Sequence, residues 1–117
     1  MSTIRDTAEA FSAHRFEDVF GHLADDARWV LVGQTTVEGR DAIVALCRDA
    51  AEGFAASTTT FDRFRVVAGV DAVAVDVVAR YSDPTGRTSV VSSCDIYEFD
   101  GEALRTITSY AVELGGA

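Results

Sequence analysis

The stretch Val90–Leu114, VVSSCDIYEFDGEALRTITSYAVEL, decides how the rest of the chain is read. Two runs rich in β-branched and aromatic residues flank Asp100-Gly101, the pattern of a β-hairpin. Alternation along the first arm sends Cys94, Ile96 and Glu98 to one face and Ser93, Asp95, Tyr97 and Phe99 to the other. A carboxylate set between aromatic side chains is either a surface residue or a pocket group. Asp95 is therefore the first candidate functional residue.

Upstream of the hairpin, from Ser57 onward, the pattern is strand throughout: Thr58–Val67, Asp71–Tyr81, Val90–Phe99 and Leu104–Val112. Asp83-Pro84-Thr85-Gly86 is a turn signal with Pro and Gly in favoured places, so it makes Asp71–Tyr81 and Val90–Phe99 antiparallel neighbours. The N-terminal half is different. Thr3-x-x-Asp6 has capping-box spacing, and Ile4, Ala8 and Phe11 recur at helical intervals. After a break near His14-Arg15, Phe16, Val19, Phe20 and Leu23 repeat the pattern in a second short helix. Ala27–Val32 reads as the first strand, and Gly33 and Gly39 bracket a short extended piece. Asp41 opens a third helix with Ile43, Leu46, Cys47, Ala50 and Phe54 on one stripe, a core stripe rather than a cofactor box. The sum is one α+β domain over residues 1–117, helices first and a long meander after.

Composition narrows the function. A formal charge of −9 argues against nucleic acid and against anionic membrane, both of which need a basic surface. No apolar run reaches the roughly 18 residues of a bilayer span, and the N-terminus has no signal-peptide stretch, so a cytoplasmic location is expected. Cys47 and Cys94 have no metal or disulfide-framework spacing and read as buried free thiols. No HxxxH, CxxC, GxGxxG or P-loop pattern occurs, so neither a metal nor a cofactor is expected. His14 and His22 sit in the helical pair and read as solvated or capping histidines.

A two-residue tip at Pro84-Thr85 would pair Asp83 with Gly86, Asp76 with Ser93, Ala74 with Asp95 and Arg80 with Ser89. Asp76, Val78, Arg80, Ser93, Asp95 and Tyr97 would then share a face, and Val73, Val75, Val77, Cys94 and Ile96 the other. Two assignments follow. Either the Val-rich face packs on the helices and the Asp face meets water, or the Val-rich face is a dimer interface and the Asp face lines a cavity. In the second case Asp76 and Asp95 form a carboxylate pair on adjacent strands, and one pKa is pushed up to create an acid and a base. Arg80 would neutralise one of them if the pair is structural instead.

The phrases LADDARWV, G…EGRDAIVAL and CDIYEFDGEAL…ITSY, in this order, resemble the SnoaL-like branch of the nuclear transport factor 2-like superfamily over about residues 4 to 114. The resemblance implies a cone: a curved antiparallel or mixed sheet of about five to six strands wrapped around three N-terminal helices. It also implies a pocket at the open end and homodimerisation through the outer sheet face. Ketosteroid isomerase, a relative of this fold, uses a carboxylate base and an oxyanion hole of a Tyr and a protonated Asp. Its Asp falls on Asp95, its Tyr near Thr7 and its base near Leu31 or Val32, which argues against steroid-type isomerisation. Limonene epoxide hydrolase, another relative, uses an Asp–Arg–Asp set. Its VDV phrase matches Val75-Asp76-Val77, while its Arg becomes Ala74 and its last Asp becomes Ser109.

The expectation is thus a pocket for a small apolar, oxygenated molecule. Asp95 and Asp76 are the candidate catalytic pair, and Trp29, Leu31, Arg80, Tyr97, Phe99 and Ser109 the candidate ligand contacts. Isomerase, cyclase or hydrolase chemistry and a non-catalytic binding or dimerisation module both fit these residues.

Overall fold

The structure, a computed structural model, describes residues 3–116. Helix α1 spans Ile4–Ser12 and begins at the predicted capping box: Thr3 Oγ1 accepts from the Asp6 N–H and Asp6 Oδ2 accepts from the Thr3 N–H, both at 3.1 Å. The second predicted helix is instead two single 3₁₀ turns, Phe16–Asp18 and Phe20–His22. Their apolar spacing serves to bury Phe16 and Val19, and Leu23 already belongs to the first strand. Helix α2, Arg40–Ala55, buries Ile43 and Cys47 from the predicted stripe.

Six strands form one curved, unclosed sheet. They are β1 (Leu23–Leu31), β2 (Thr35–Glu38), β3 (Thr58–Ala68), β4 (Ala72–Ser82), β5 (Thr88–Asp100) and β6 (Ala103–Gly116). The order is β2-β1-β6-β5-β4-β3, with β1 parallel to β6 and every other pair antiparallel. Helix α1 packs on β4 and α2 on β1, both on the inner face of the curve. There Val73, Val75 and Val77 of β4, Tyr97 of β5, and Leu104 and Ile107 of β6 are buried to 3% exposure or less. Each such side chain contributes roughly 1.5–3 kcal/mol of transfer free energy. Among the described residues no helix is long and apolar enough to cross a membrane.

The β4–β5 register corrects both face assignments drawn from the sequence. Val75 is opposite Asp95, Val77 opposite Ser93, and Asp76 opposite Cys94. The Val row and Asp95 therefore share the inner face, while Asp76, Val78 and Arg80 point outward. The cause lies in the turn. Its tip holds Pro84, Thr85 and Gly86, closed by the Asp83 N–H donating to the Arg87 carbonyl at 2.9 Å, with Gly86 at φ +85°. This is a three-residue hairpin loop with glycine in the left-handed position, not a two-residue tip. The extra residue slips the register by one, and a one-residue slip exchanges the faces.

Candidate functional site

Between α1, α2 and the inner face of the sheet lies a cavity of about 200 Å³. Phe11, His14, Phe16, Trp29, Phe54 and Tyr81 supply most of its apolar wall, and Ser12, Ser93, Asp95 and Ser109 its polar atoms. Larger depressions of about 410 and 580 Å³ lie elsewhere on the surface, with exposed charged side chains such as Asp18 in the wall of the first and Arg87 and Glu113 in that of the second.

Asp95 is the polar centre of this cavity. The alternation of β5 turns it inward beside Tyr97, and α1 brings Ser12 down on both. Ser12 Oγ donates to Asp95 Oδ2 at 2.9 Å, and Ser12 Oγ and the Tyr97 hydroxyl are 2.6 Å apart. The Tyr97 hydroxyl is also 3.4 Å from Asp95 Oδ2. With one proton per hydroxyl, an ionised Asp95 sets the direction of the chain: Tyr97 donates to Ser12 and Ser12 donates to Asp95. On the other side the Trp29 indole N–H donates to Ser109 Oγ at 2.8 Å, which leaves the Ser109 proton for Asp95. Burial raises the Asp95 pKa above the usual aspartate range, and the hydrogen bonds from Ser109, Ser12 and Tyr97 pull it back only in part. Burial, with the Asp95 charge second, pushes the Tyr97 phenol well up, so it stays protonated as a donor.

Trp29, Tyr97 and Ser109 thus gather around Asp95 as the sequence suggests. Leu31 shares their face but lies outside the cavity wall, and Phe99 is buried in the core beyond Tyr97. Asp76 and Arg80 lie outside this cavity. On the outer face Asp76 Oδ2 accepts from Arg63 Nε at 2.7 Å, and Arg80 pairs with Asp62 at 2.9 Å, with all four side chains well exposed. The carboxylate pair inferred from a two-residue turn does not exist. Exposed pairs of this kind contribute about 0–1 kcal/mol. Asp76→Asn is accordingly expected to shift the urea midpoint only slightly and to leave any ligand affinity unchanged.

Ser12 and His14 are cavity residues that the sequence reading passed over. Ser12 follows Ala8 by four residues on the buried stripe of α1, a spacing that marks it as inward. His14 is half-buried, its ring stacked on Phe54 at 4.0 Å between centroids. Among the described residues no three His, Cys, Asp or Glu side chains converge as a metal site requires.

Residues 4–106 match the family described as the SnoaL-like domain, and the chain belongs to that family. Solved structures agree on the fold. A nuclear transport factor 2-like protein of unknown function from Cytophaga hutchinsonii superposes with a TM-score of 0.81 at 27% identity, over 94% of this chain and 100% of the other. An epoxide hydrolase of the limonene epoxide hydrolase-like type from Mycobacterium tuberculosis matches with a TM-score of 0.71 at 20% identity, over 93% and 82%. A candidate polyketide cyclase from Xanthomonas campestris matches at 0.70 and 17%, over 92% of each chain. No curated protein sequence is significantly similar to this chain.

Proposed function

We propose that this chain binds a small, apolar, oxygen-bearing molecule in the inner cavity, with Asp95 as the group that holds and exchanges a proton with the ligand oxygen. The observation that carries the reading is the mostly buried Asp95 carboxyl, fed by Ser12 at 2.9 Å and opening on an aromatic cavity. A buried acid of raised pKa donates to a developing oxyanion, the step common to isomerisation, cyclisation and epoxide opening. Fold relatives described as an epoxide hydrolase and a candidate cyclase are consistent with that class. Size restricts the ligand. A dry cavity of about 150 Å³ accommodates a benzene, so about 200 Å³ accommodates one substituted ring. The second reading is a non-catalytic binding module, and the outward position of Asp76 favours it by leaving one carboxylate in the cavity.

The test uses Trp29, the sole tryptophan and a cavity residue, as reporter. In acid, where Asp95 carries its proton, acetophenone, one ring with one carbonyl, should quench its fluorescence saturably and bind about tenfold more weakly to Asp95→Leu, the loss of one strong hydrogen bond. Absence of saturation in the wild type, or equal affinity for the two proteins, overturns the reading.

Assembly is a homodimer through the outer sheet face, where Cys94, Ile96, Tyr110 and Val112 lie together. Support comes from the exposure of Tyr110 at 48% and Val112 at 63% on a face that a soluble monomer would keep polar. The valines at 73, 75 and 77 belong to the core instead. Sedimentation should give twice the chain mass of 12.5 kDa, and Val112→Arg should give the single-chain mass. A monomeric wild type ends the dimer proposal.

A further inference from the structure

Helix α1 ends in a Schellman motif: the Arg15 N–H donates to the Ala10 carbonyl at 2.8 Å and the His14 N–H to Phe11 at 3.0 Å. The residue in the left-handed position of this motif is usually glycine, but here it is His14 at φ +66°, the sole described non-glycine residue with positive φ. A side chain kept at a strained position points to what the side chain does.

The imidazole does two things there. Its face lies on Phe54, tilted by 8° at 4.0 Å, with Tyr81 near-parallel at 6.1 Å and Phe16 and Phe61 closing the sides. Stacking uses the faces of the ring and leaves its nitrogen edge free. Neither nitrogen has a hydrogen-bond partner among the described residues, yet none of their buried side-chain nitrogens or oxygens is unpartnered. The His14 nitrogens are therefore not sealed in the core, and His14 lines the cavity. Along the inner face of β4, Val75 is opposite Asp95, and Tyr81 lies further along beyond Val77 and Ala79. The His14 stack thus occupies the Tyr81 end of the cavity and Asp95 the other.

We infer that His14 is a second ligand contact, an imidazole nitrogen that accepts a hydrogen bond from a donor on the opposite end of the ring held by Asp95. This rests on the cavity reading above and narrows its ligand class to a single ring with an oxygen acceptor at one end and a hydroxyl at the other. Burial lowers the His14 pKa, which keeps the ring neutral and one nitrogen an acceptor. Of the four rings against it, only Tyr81 titrates, and burial and the Asp95 charge hold Tyr81 in its protonated form.

The probes are acetophenone and 4-hydroxyacetophenone, which differ by the one hydroxyl. Wild-type protein should bind the hydroxylated ring about fivefold to tenfold more tightly, the worth of one neutral hydrogen bond. His14→Phe keeps a stacked ring and should bring the affinities for the two probes to within about twofold of each other. Asp95→Leu should weaken both probes. In nitrogen-15 spectra of the wild type, the His14 ring resonances should shift with 4-hydroxyacetophenone and those of His22 should not. A preference that survives His14→Phe, or static His14 resonances at saturation, overturns the role of His14 while the Asp95 reading stands. Probes that fail to bind the wild type overturn both.

Discussion

Asp95→Asn is expected to make the protein more stable at neutral pH, read as a Tm above that of the wild type. Burial raises the Asp95 pKa in the folded state above the ordinary 3.8. A neutral Asp95 therefore supports the fold below that value, and the support is lost as the pH rises through the raised folded-state pKa. Asparagine has nearly the same shape, accepts from Ser12 and never ionises. The Tm difference between variant and wild type should thus vanish in acid below the ordinary value and open as the pH is raised. A thermal melt series across pH checks this, and a variant less stable than the wild type at neutral pH contradicts it. Asp95→Asn should bind acetophenone at least as well as the wild type as the pH is raised, because its amide donates to the carbonyl at every pH while Asp95 donates only when protonated, whereas Asp95→Leu should not. A stabilising substitution at the polar centre of a cavity marks a residue kept for function at a cost in stability.

Tyr97 carries the second large effect. Its ring is fully buried between Val73 of β4 and Ile107 of β6, edge-on to Phe11 at 5.7 Å, and its hydroxyl meets Ser12 at 2.6 Å. Tyr97→Ala should cost about 3–5 kcal/mol through lost burial and the cavity left behind. That is a large part of the 5–15 kcal/mol by which a typical domain is stable. Tyr97→Phe keeps the ring and removes one hydrogen bond, a loss of about 0.5–1.5 kcal/mol, because Ser12 can still donate to Asp95. Urea titrations of the two variants separate the terms. Equal destabilisation would mean that the hydroxyl, not the ring, holds the core at this point.

Legibility in the sequence followed the range of the interaction. The capping box at Thr3 and Asp6, the stripe of α2 and the alternation of β5 are local patterns, and each is found where the spacing put it. The β4–β5 turn was legible as a turn but misread in length. Gly86 carried the missing signal, since a glycine in the left-handed position after Pro-Thr specifies a three-residue loop. That single residue moved Asp76 and Arg80 out of the site and put the valines of β4 beneath the helices.

Alternation, helical spacing and turn residues therefore determined the α+β class, most of the elements and the shared face of Asp95 and Tyr97, while the register decided that this face is the inner one. These depend on neighbours a few positions apart, and the chain carries them in its order. Which residues surround Asp95 was decided only by tertiary structure. Ser12 reaches it from α1 across most of the chain, Trp29 touches Ser109 through a parallel pairing, and His14 meets Phe54 and Tyr81 from three separate elements. Such contacts depend on register and on how the helices seat in the curve of the sheet, and a shift of one residue in either reassigns every side chain to the other face.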